Sequence, residues 1–317
     1  MAETNKSAKT KKTKSKEFWK RVWKEKGLAI LALPGVIFLF IFSYMPMFGI
    51  VLPFIDYDVR KGFFGSKFVG FENFRYLFEN KGTWTIVRNT VGYNLVFTFL
   101  TPLIAIILAL ILCRMSKRAI KIYQTCFFVP YFVSWVVVSY VIFGFLNMEH
   151  GLINSMMMRA GMEPILWYNT PDPWPFITIL SNTWKSAGYS CIIYYTALIG
   201  VDKQLYEAAE LDGASKLQQT LHISIPAITP VICMLVILDI GKMFAGNFDL
   251  FYNIARNTAQ TYPTMDILDT YVYRALKQLG DIGMSSAACI FQSVVGFILV
   301  LLSNKLVKKI NPDYALF

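Results

Sequence analysis

The sequence predicts an all-α, polytopic membrane protein with about six transmembrane helices, and three observations carry that prediction. The 317-residue chain is 55% hydrophobic and only 16% charged, a balance outside the range of soluble domains. Its apolar residues gather into runs of about 20 or more, the length a helix needs to cross a hydrocarbon core roughly 30 Å thick. Its basic residues cluster beside and between those runs instead of spreading over a surface.

A basic tail, residues 1–27, comes first. Residues 1–26 carry ten Lys/Arg against Glu3, Glu17 and Glu25, so +7 of the chain's +11 net charge sits there. Phe18, Trp19 and Trp23 are interleaved with those charges. That pattern, ahead of a long apolar run, describes a segment lying on anionic lipid and leaves nucleic acid no role. The run that follows is too long for a cleavable signal peptide and has no small-residue cleavage site.

Residues 28–317 read as one transmembrane domain. The first span, about 28–55, is uncharged and interrupted by Pro34, Pro46 and Pro53. The second (about 89–112) and third (about 122–146) are also uncharged. The fourth, about 174–200, contains Lys185, and the fifth, about 223–248, contains Asp239 and Lys242. The sixth, about 282–304, is uncharged again. An even number of spans puts both termini on one side. Arg114, Lys117, Arg118 and Lys121 in loop 113–121, with Lys305, Lys308 and Lys309 after the last span, place that side in the cytoplasm, together with loop 201–222. Loop 147–173 carries only Arg159 and is therefore outside. Loop 56–85 fits this less well, with five Lys/Arg accompanied by four acids. The outer loops are rich in aromatics, at 62–78 and at Trp167, Tyr168 and Trp174. They read as interfacial anchors or as a platform for an extracellular partner.

Few residues invite metal or redox chemistry. Cys113, Cys126, Cys191, Cys233 and Cys289 lack CxxC spacing, and His150 and His222 are the only histidines, so neither a disulfide framework nor a zinc site is expected. No GxxxxGKS/T stretch occurs that could cradle a nucleotide. A membrane enzyme would lack its nucleophile.

The loop before the fifth span, VDKQLYEAAELDGASKLQQTLHISIPAITPVI, reads as two short helices with a break. Asp202 is a cap for the first, and Leu205, Ala208, Ala209 and Leu211 give it a small, apolar face. Gly213 suits the left-handed residue that ends a helix. Ser215 followed by Gln218 has capping-box spacing for the second. Pro226 and Pro230 come where the span would begin, a position that tolerates missing N–H groups. Alanines on an exposed helix allow close approach to a groove, so the loop 201–222 is suited to docking.

Glu207-Ala208-Ala209, Asp212-Gly213-Ala214 and Ile223-Ser224-Ile225-Pro226 together resemble the EAA loop of bacterial ABC importer permeases. Ile225 stands where Leu is usual, and Thr220 where an aromatic is common. The stretches 247–252 (NFDLFY), 269–274 (DTYVYR) and 311–317 (NPDYALF) are similar to the poly- and oligosaccharide permeases of Gram-positive bacteria, within the maltose-type carbohydrate-uptake class. The resemblance implies ATPase-coupling residues at Glu207, Ala208, Ala209, Asp212, Gly213 and Ala214. It also implies a second, homologous permease subunit, two copies of a cytoplasmic ATPase subunit that bind ATP and Mg, and an extracellular solute-binding lipoprotein. The chain would then have no cofactor of its own and no catalytic residue, and would sit as a multi-pass protein in a bacterial cell membrane with both termini cytoplasmic.

Polar residues inside the spans are expected to face a substrate route, because burying them against lipid is costly. Asp239, Lys242, Gly246 and Asp249 recur at helical spacing in the fifth span. Ser181, Lys185 and Gly188 do so in the fourth. Asn182, Trp184, Lys185, Tyr189, Asp239, Lys242 and Asn247 offer the hydrogen bonds and ring faces that a carbohydrate takes. Tyr93, Asn94, Trp135 and Tyr140 are weaker candidates. An Asp239–Lys242 ion pair that only packs helices is the competing reading. Another solute, such as a glycerol phosphate ester or a peptide, is the alternative substrate. An ion-coupled secondary transporter is the alternative class, opposed by the docking loop and by the lack of an inverted repeat.

Overall fold

The computed structural model describes residues 26–79 and 81–316. The basic tail before Lys26 lies outside the described residues. The chain divides into two compact units, Met1–Leu52 and Pro53–Phe317.

In the first unit, helix α1 (Lys26–Leu39) continues into a wider π-turn at Phe40–Tyr44 and a tighter 3-10 stretch from Met45 to Phe54. Pro34, Pro46 and Pro53 each remove an N–H from the ladder, which accounts for the changes of pitch. Between Ile30 and Phe48 its large side chains are apolar and exposed, as befits a helix whose solvent is lipid or another chain.

The second unit opens with a two-stranded antiparallel ribbon, β1 (Ile55–Asp56) and β2 (Lys67–Phe68), with Ile55 opposite Phe68. Helix α2 (Glu72–Glu79) follows, then α3 (Lys81–Leu112), α4 (Lys117–Phe132), α5 (Trp135–Leu146) and α6 (Leu152–Arg159). Next come α7 (Trp174–Ile199) and α8 (Lys203–Leu211), and the long α9 (Lys216–Gly241). Helices α10 (Phe248–Ile254), α11 (Leu268–Arg274) and α12 (Ile282–Ile310) complete the chain. Ala105 and Ala109, one turn apart on α3, bring it close to α7, and Leu112, Cys191, Tyr194, Leu198 and Ile228 close that core. A second core gathers Tyr93, Trp135, Trp174, Leu250, Phe251 and Ile254.

Several spans differ from the sequence expectation. Among the described residues four helical stretches are long and apolar enough to cross a membrane, with a fifth if α4 and α5 count as one span. The remaining expected span, the fourth, is α7, which has 26 residues but buries Thr178, Asn182, Thr183 and Lys185. It is polar because it lies inside the bundle. The third span, expected as one helix over 122–146, is broken: α4 and α5 meet at 96°. Val133 and Ser134 are extended there, and the Ser134 hydroxyl caps α5 by accepting the Val137 N–H at 3.3 Å. The fifth span, expected over 223–248, begins at Lys216 and stops at Gly241. Pro226 does not start it, because the docking-loop helix runs straight into it.

Lys185 explains how the break between α4 and α5 is kept. Its ammonium donates to the last-turn carbonyls of Tyr131 (2.6 Å) and Pro130 (3.3 Å), the latter also accepting the Val133 N–H at 3.2 Å, at a helix end where carbonyls run out of helical partners. The same charge sits 5.4 Å from the ring centres of both Tyr131 and Trp135, an added attraction. One turn on, Gly188 lies so close to α4 that a Cβ would stand 1.8 Å from the Phe127 carbonyl oxygen. The face Ser181, Lys185, Gly188 is thus a helix-packing face. The outer aromatics are also structural: Trp174 is fully buried, and its indole N–H donates to the Trp167 carbonyl at 2.8 Å.

Gly188→Ala should push α7 off α4, an overpacking that costs about 1–3 kcal/mol, and should lower the unfolding temperature of the detergent-purified protein by several degrees. Gly144→Ala, where a Cβ meets nothing within 4 Å, should not lower it. Equal effects of the two changes would refute the close α4–α7 contact.

Candidate functional site

A cavity of about 710 Å³ lies between α3, α7, α9 and the segment leading into α10. Helix α7 builds one wall by periodicity: Asn182, Ser186, Tyr189 and Ile193 fall on one stripe and all line the cavity. The ring of Tyr189 stacks on that of Tyr131, with centres 4.6 Å apart and planes 13° apart. Helix α3 supplies Asn94, Thr98 and Thr101 by the same spacing. Thr101 Oγ1 on α3 and the Tyr194 hydroxyl on α7 are buried with no hydrogen-bond partner among the described residues, and both residues line the cavity.

Helix α9 brings Asp239 to the cavity in its last turn, and Lys242 follows as its C-cap. The expected stripe of Asp239, Lys242, Gly246 and Asp249 does not lie on one helix, because the helix ends at Gly241. Gly241 and Gly296 are the reason for that position: α9 and α12 cross so tightly that a Cβ on Gly296 would stand 2.5 Å from the Gly241 carbonyl oxygen. The non-helical backbone that follows is bonded to side chains. The Gly246 N–H donates to Asp269 Oδ2 at 2.6 Å. Gln292 Nε2 donates to the Phe244 carbonyl at 2.8 Å, and Asn94 Nδ2 to the Met243 carbonyl at 3.1 Å. Gly246 has no room for a side chain, since a Cβ would lie 2.3 Å from Ile267 Cδ1. Asn247 accepts the Leu250 N–H at 3.2 Å and starts α10.

This fold-back still delivers Asp239, Lys242, Asn247 and Asp249 to one cavity. Asp239 and Lys242 are exposed to it, and no ion pair within 4 Å joins them. Of the residues expected on the route, Asn182, Tyr189, Asp239, Lys242 and Asn247 line the cavity. Trp184, half exposed on another face of α7, and Lys185, bonded to α4, do not. Thr98, Thr101 and Ser186 were not foreseen, although polar residues at i, i+4 and i+7 in an uncharged span mark the α3 stripe. Tyr93 instead donates to the Thr264 carbonyl at 3.0 Å and holds a loop.

The second site is the loop 201–222. Asp202 Oδ1 accepts the Gln204 N–H at 2.9 Å, capping α8. Gly213 has φ +78°; its N–H bonds Glu210 O and the Ala214 N–H bonds Ala209 O at 2.9 Å, the paired closure of a Schellman end. Ser215 and Gln218 form the reciprocal capping box. Glu207, Ala208, Asp212 and Gly213 are exposed, whereas Ala209 and Ala214 are half-buried. Leu205, Leu211 and Leu217 are 54%, 90% and 66% exposed, so the loop offers apolar side chains that the other described residues do not cover. From its second half, α9 runs 26 residues to the cavity, about 39 Å at 1.5 Å per residue.

A family model described as the binding-protein-dependent transport system inner membrane component matches residues 101–312. The polygalacturonan/rhamnogalacturonan transport system permease protein YteP of Bacillus subtilis (strain 168) is 38% identical over 307 residues, 96% of this chain and 94% of the relative. A chain of a bacterial ABC transporter involved in the import of the acidic polysaccharide alginate superposes with a TM-score of 0.82 at 30% identity, covering 93% of this chain and 99% of that one. A chain of the same kind of transporter, in complex with an alginate pentasaccharide-bound periplasmic protein, also scores 0.82, at 29% identity with 92% and 97% coverage.

The geometry separates two buried-looking lysines. In a background without the five cysteines, Lys242→Cys should react with a water-soluble maleimide in the folded protein, and Lys185→Cys should not. Asp239→Asn should unfold at nearly the native temperature, since no partner is stranded. Strong destabilisation by that change would mean that Asp239 is paired.

Proposed function

The chain belongs to the family of binding-protein-dependent transport system inner membrane components, and on that footing we propose how its cavity and its loop work together. It is a multi-pass membrane protein and the permease subunit of an ABC importer, a family in which ATP hydrolysis lies in separate subunits. YteP is a polygalacturonan/rhamnogalacturonan transport permease and the matched solved chains belong to alginate transporters, and import of an oligo- or polysaccharide fragment is the function this cavity suits best. The amides of Asn182 and Asn247 and the Ser186 hydroxyl offer hydrogen bonds, and Tyr189 offers a ring face.

One observation carries the mechanism: α9 begins in the exposed loop and ends at Asp239 on the cavity wall. A force applied to the loop therefore reaches the cavity along a single helix. In this reading Glu207, Ala208, Ala209, Asp212, Gly213 and Ala214 seat against a cytoplasmic ATPase subunit, present in two copies that bind ATP and Mg. A second, homologous permease subunit completes the alternating-access pathway, and an extracellular solute-binding lipoprotein delivers the sugar. Both termini are cytoplasmic. Arg114 of loop 113–121 reaches the docking loop directly, and the C-terminal turn Pro312–Tyr314 packs on α9, which supports a common side for all three.

Glu207→Lys in the complete transporter, reconstituted in liposomes, should leave membrane insertion intact, abolish sugar uptake and loosen the ATPase subunits. Full substrate-stimulated ATP hydrolysis by that variant would defeat the assignment of the loop.

A further inference from the structure

Between the docking loop and the cavity, α9 is not uniform. Residues Thr220–Ser224 form a π-turn, one residue wider than the α-helix on either side. Such turns occur as single-turn bulges inside α-helices, frequently at functional sites. Pro226 follows two residues later and Pro230 one turn further; Pro226 has no N–H to return to His222, and its ring crowds that carbonyl, so the helical ladder is interrupted where the wide turn meets the span.

Both ends of the turn are tied to other elements. At its first residue, Arg114 Nη2 donates to the Thr220 hydroxyl at 2.8 Å and to the Lys216 carbonyl at 3.1 Å. The Thr220 hydroxyl also donates to that carbonyl at 2.9 Å, closing a triangle. Arg114 directly follows α3, the helix whose Asn94, Thr98 and Thr101 line the cavity. At the last residue, the Tyr206 hydroxyl and Ser224 Oγ lie 2.9 Å apart, and Ser224 is buried. Tyr206 sits on α8 directly before Glu207. The two ties thus lead to different places: one to the cavity-lining helix, the other to the docking helix.

We propose that Thr220–Ser224 is the hinge through which the docking loop drives α9, and that Arg114 and Tyr206 are positioning residues that make it transmit. Tyr206 passes displacement of α8 to the base of α9. Arg114 holds that base in register with α3, so the displacement turns α9 against the opposite cavity wall instead of dissipating in the wide turn. The proposal rests on the reading that loop 201–222 docks the ATPase.

The test uses the complete transporter in proteoliposomes and reads sugar taken up per ATP hydrolysed. Tyr206→Phe and Ser224→Ala each remove one side of a single hydrogen bond. Each should lower that ratio about fivefold or more, the low end of coupling energies, while assembly and basal ATP hydrolysis stay as in the native complex. The double variant should be no worse than either single one, because both delete the same interaction. Arg114→Ala should lower the ratio similarly, and Arg114→Lys, which keeps a donor, should restore most of it. Ratios within twofold of native in all these variants would overturn the proposal, as would additive losses in the Tyr206→Phe/Ser224→Ala pair. If Arg114→Ala fails to assemble, the Tyr206 and Ser224 variants decide by the same ratio. Failure of the native complex to take up sugar with ATP would instead defeat the underlying reading of the chain.

Discussion

Every polar group at bilayer depth must be bonded inside the protein or meet water, and α7 satisfies that constraint twice. One stripe of the helix, Ser181, Lys185 and Gly188, is spent on α4. The other, Asn182, Ser186 and Tyr189, is spent on a cavity large enough to hold water or a ligand. A helix this polar cannot face lipid, so it must be central, and the rest of the bundle is arranged around it. Helices α3, α4 and α9 all pack on α7, and the cavity exists because α3 and α9 cover only part of its second stripe.

The same constraint governs the two places where the backbone leaves the helix at membrane depth. At 133–134 the freed carbonyls of α4 are taken by a lysine that comes from another helix. At 242–247 they are taken by Asn94 and Gln292, while Asp269 takes a freed N–H. In both cases polar side chains from neighbouring helices, one at the first break and three at the second, substitute for the missing turn. This is why those side chains are not available to a substrate, although they are as polar as the ones that are. Asp239 and Lys242 differ from Lys185 in what surrounds them, not in what they are.

That difference marks the limit of what could be read before the fold was known. The ends of α8 and the start of α9 were legible because Asp202, Gly213, Ser215 and Gln218 act on backbone within a few residues of themselves. The two-helix form of loop 201–222 was legible for the same reason. The break after Phe132 and the end of α9 were not, because each depends on a partner far along the chain: Lys185 for the first and Gly296 for the second. Helical spacing placed Gly246 and Asp249 on the stripe of Asp239, and it failed where a glycine crossing stopped the helix. They nonetheless reach the same cavity as Asp239, by folding back and not by continuing.

The fold-back has a mechanical consequence. A helix that continued through residue 249 would carry Asp239, Lys242 and Asp249 as one body, and movement of α9 would shift all three together. Instead, Asp239 rides on α9, while Gly246 is bonded to Asp269 of α11 and packed against Ile267, and Asn247 starts α10. The cavity therefore has one wall attached to the docking loop and another attached to the α10–α12 region, with the tight Gly241–Gly296 crossing between them. At that crossing Gly296 lies against the Gly241 carbonyl and the Val300 side chain packs on Gly241, so α9 and α12 are held closely together there. A close contact near one end of a helix about 39 Å long is the point about which α9 would turn if its loop end were displaced, and the bonds at 242–247 lie on the far side of that contact.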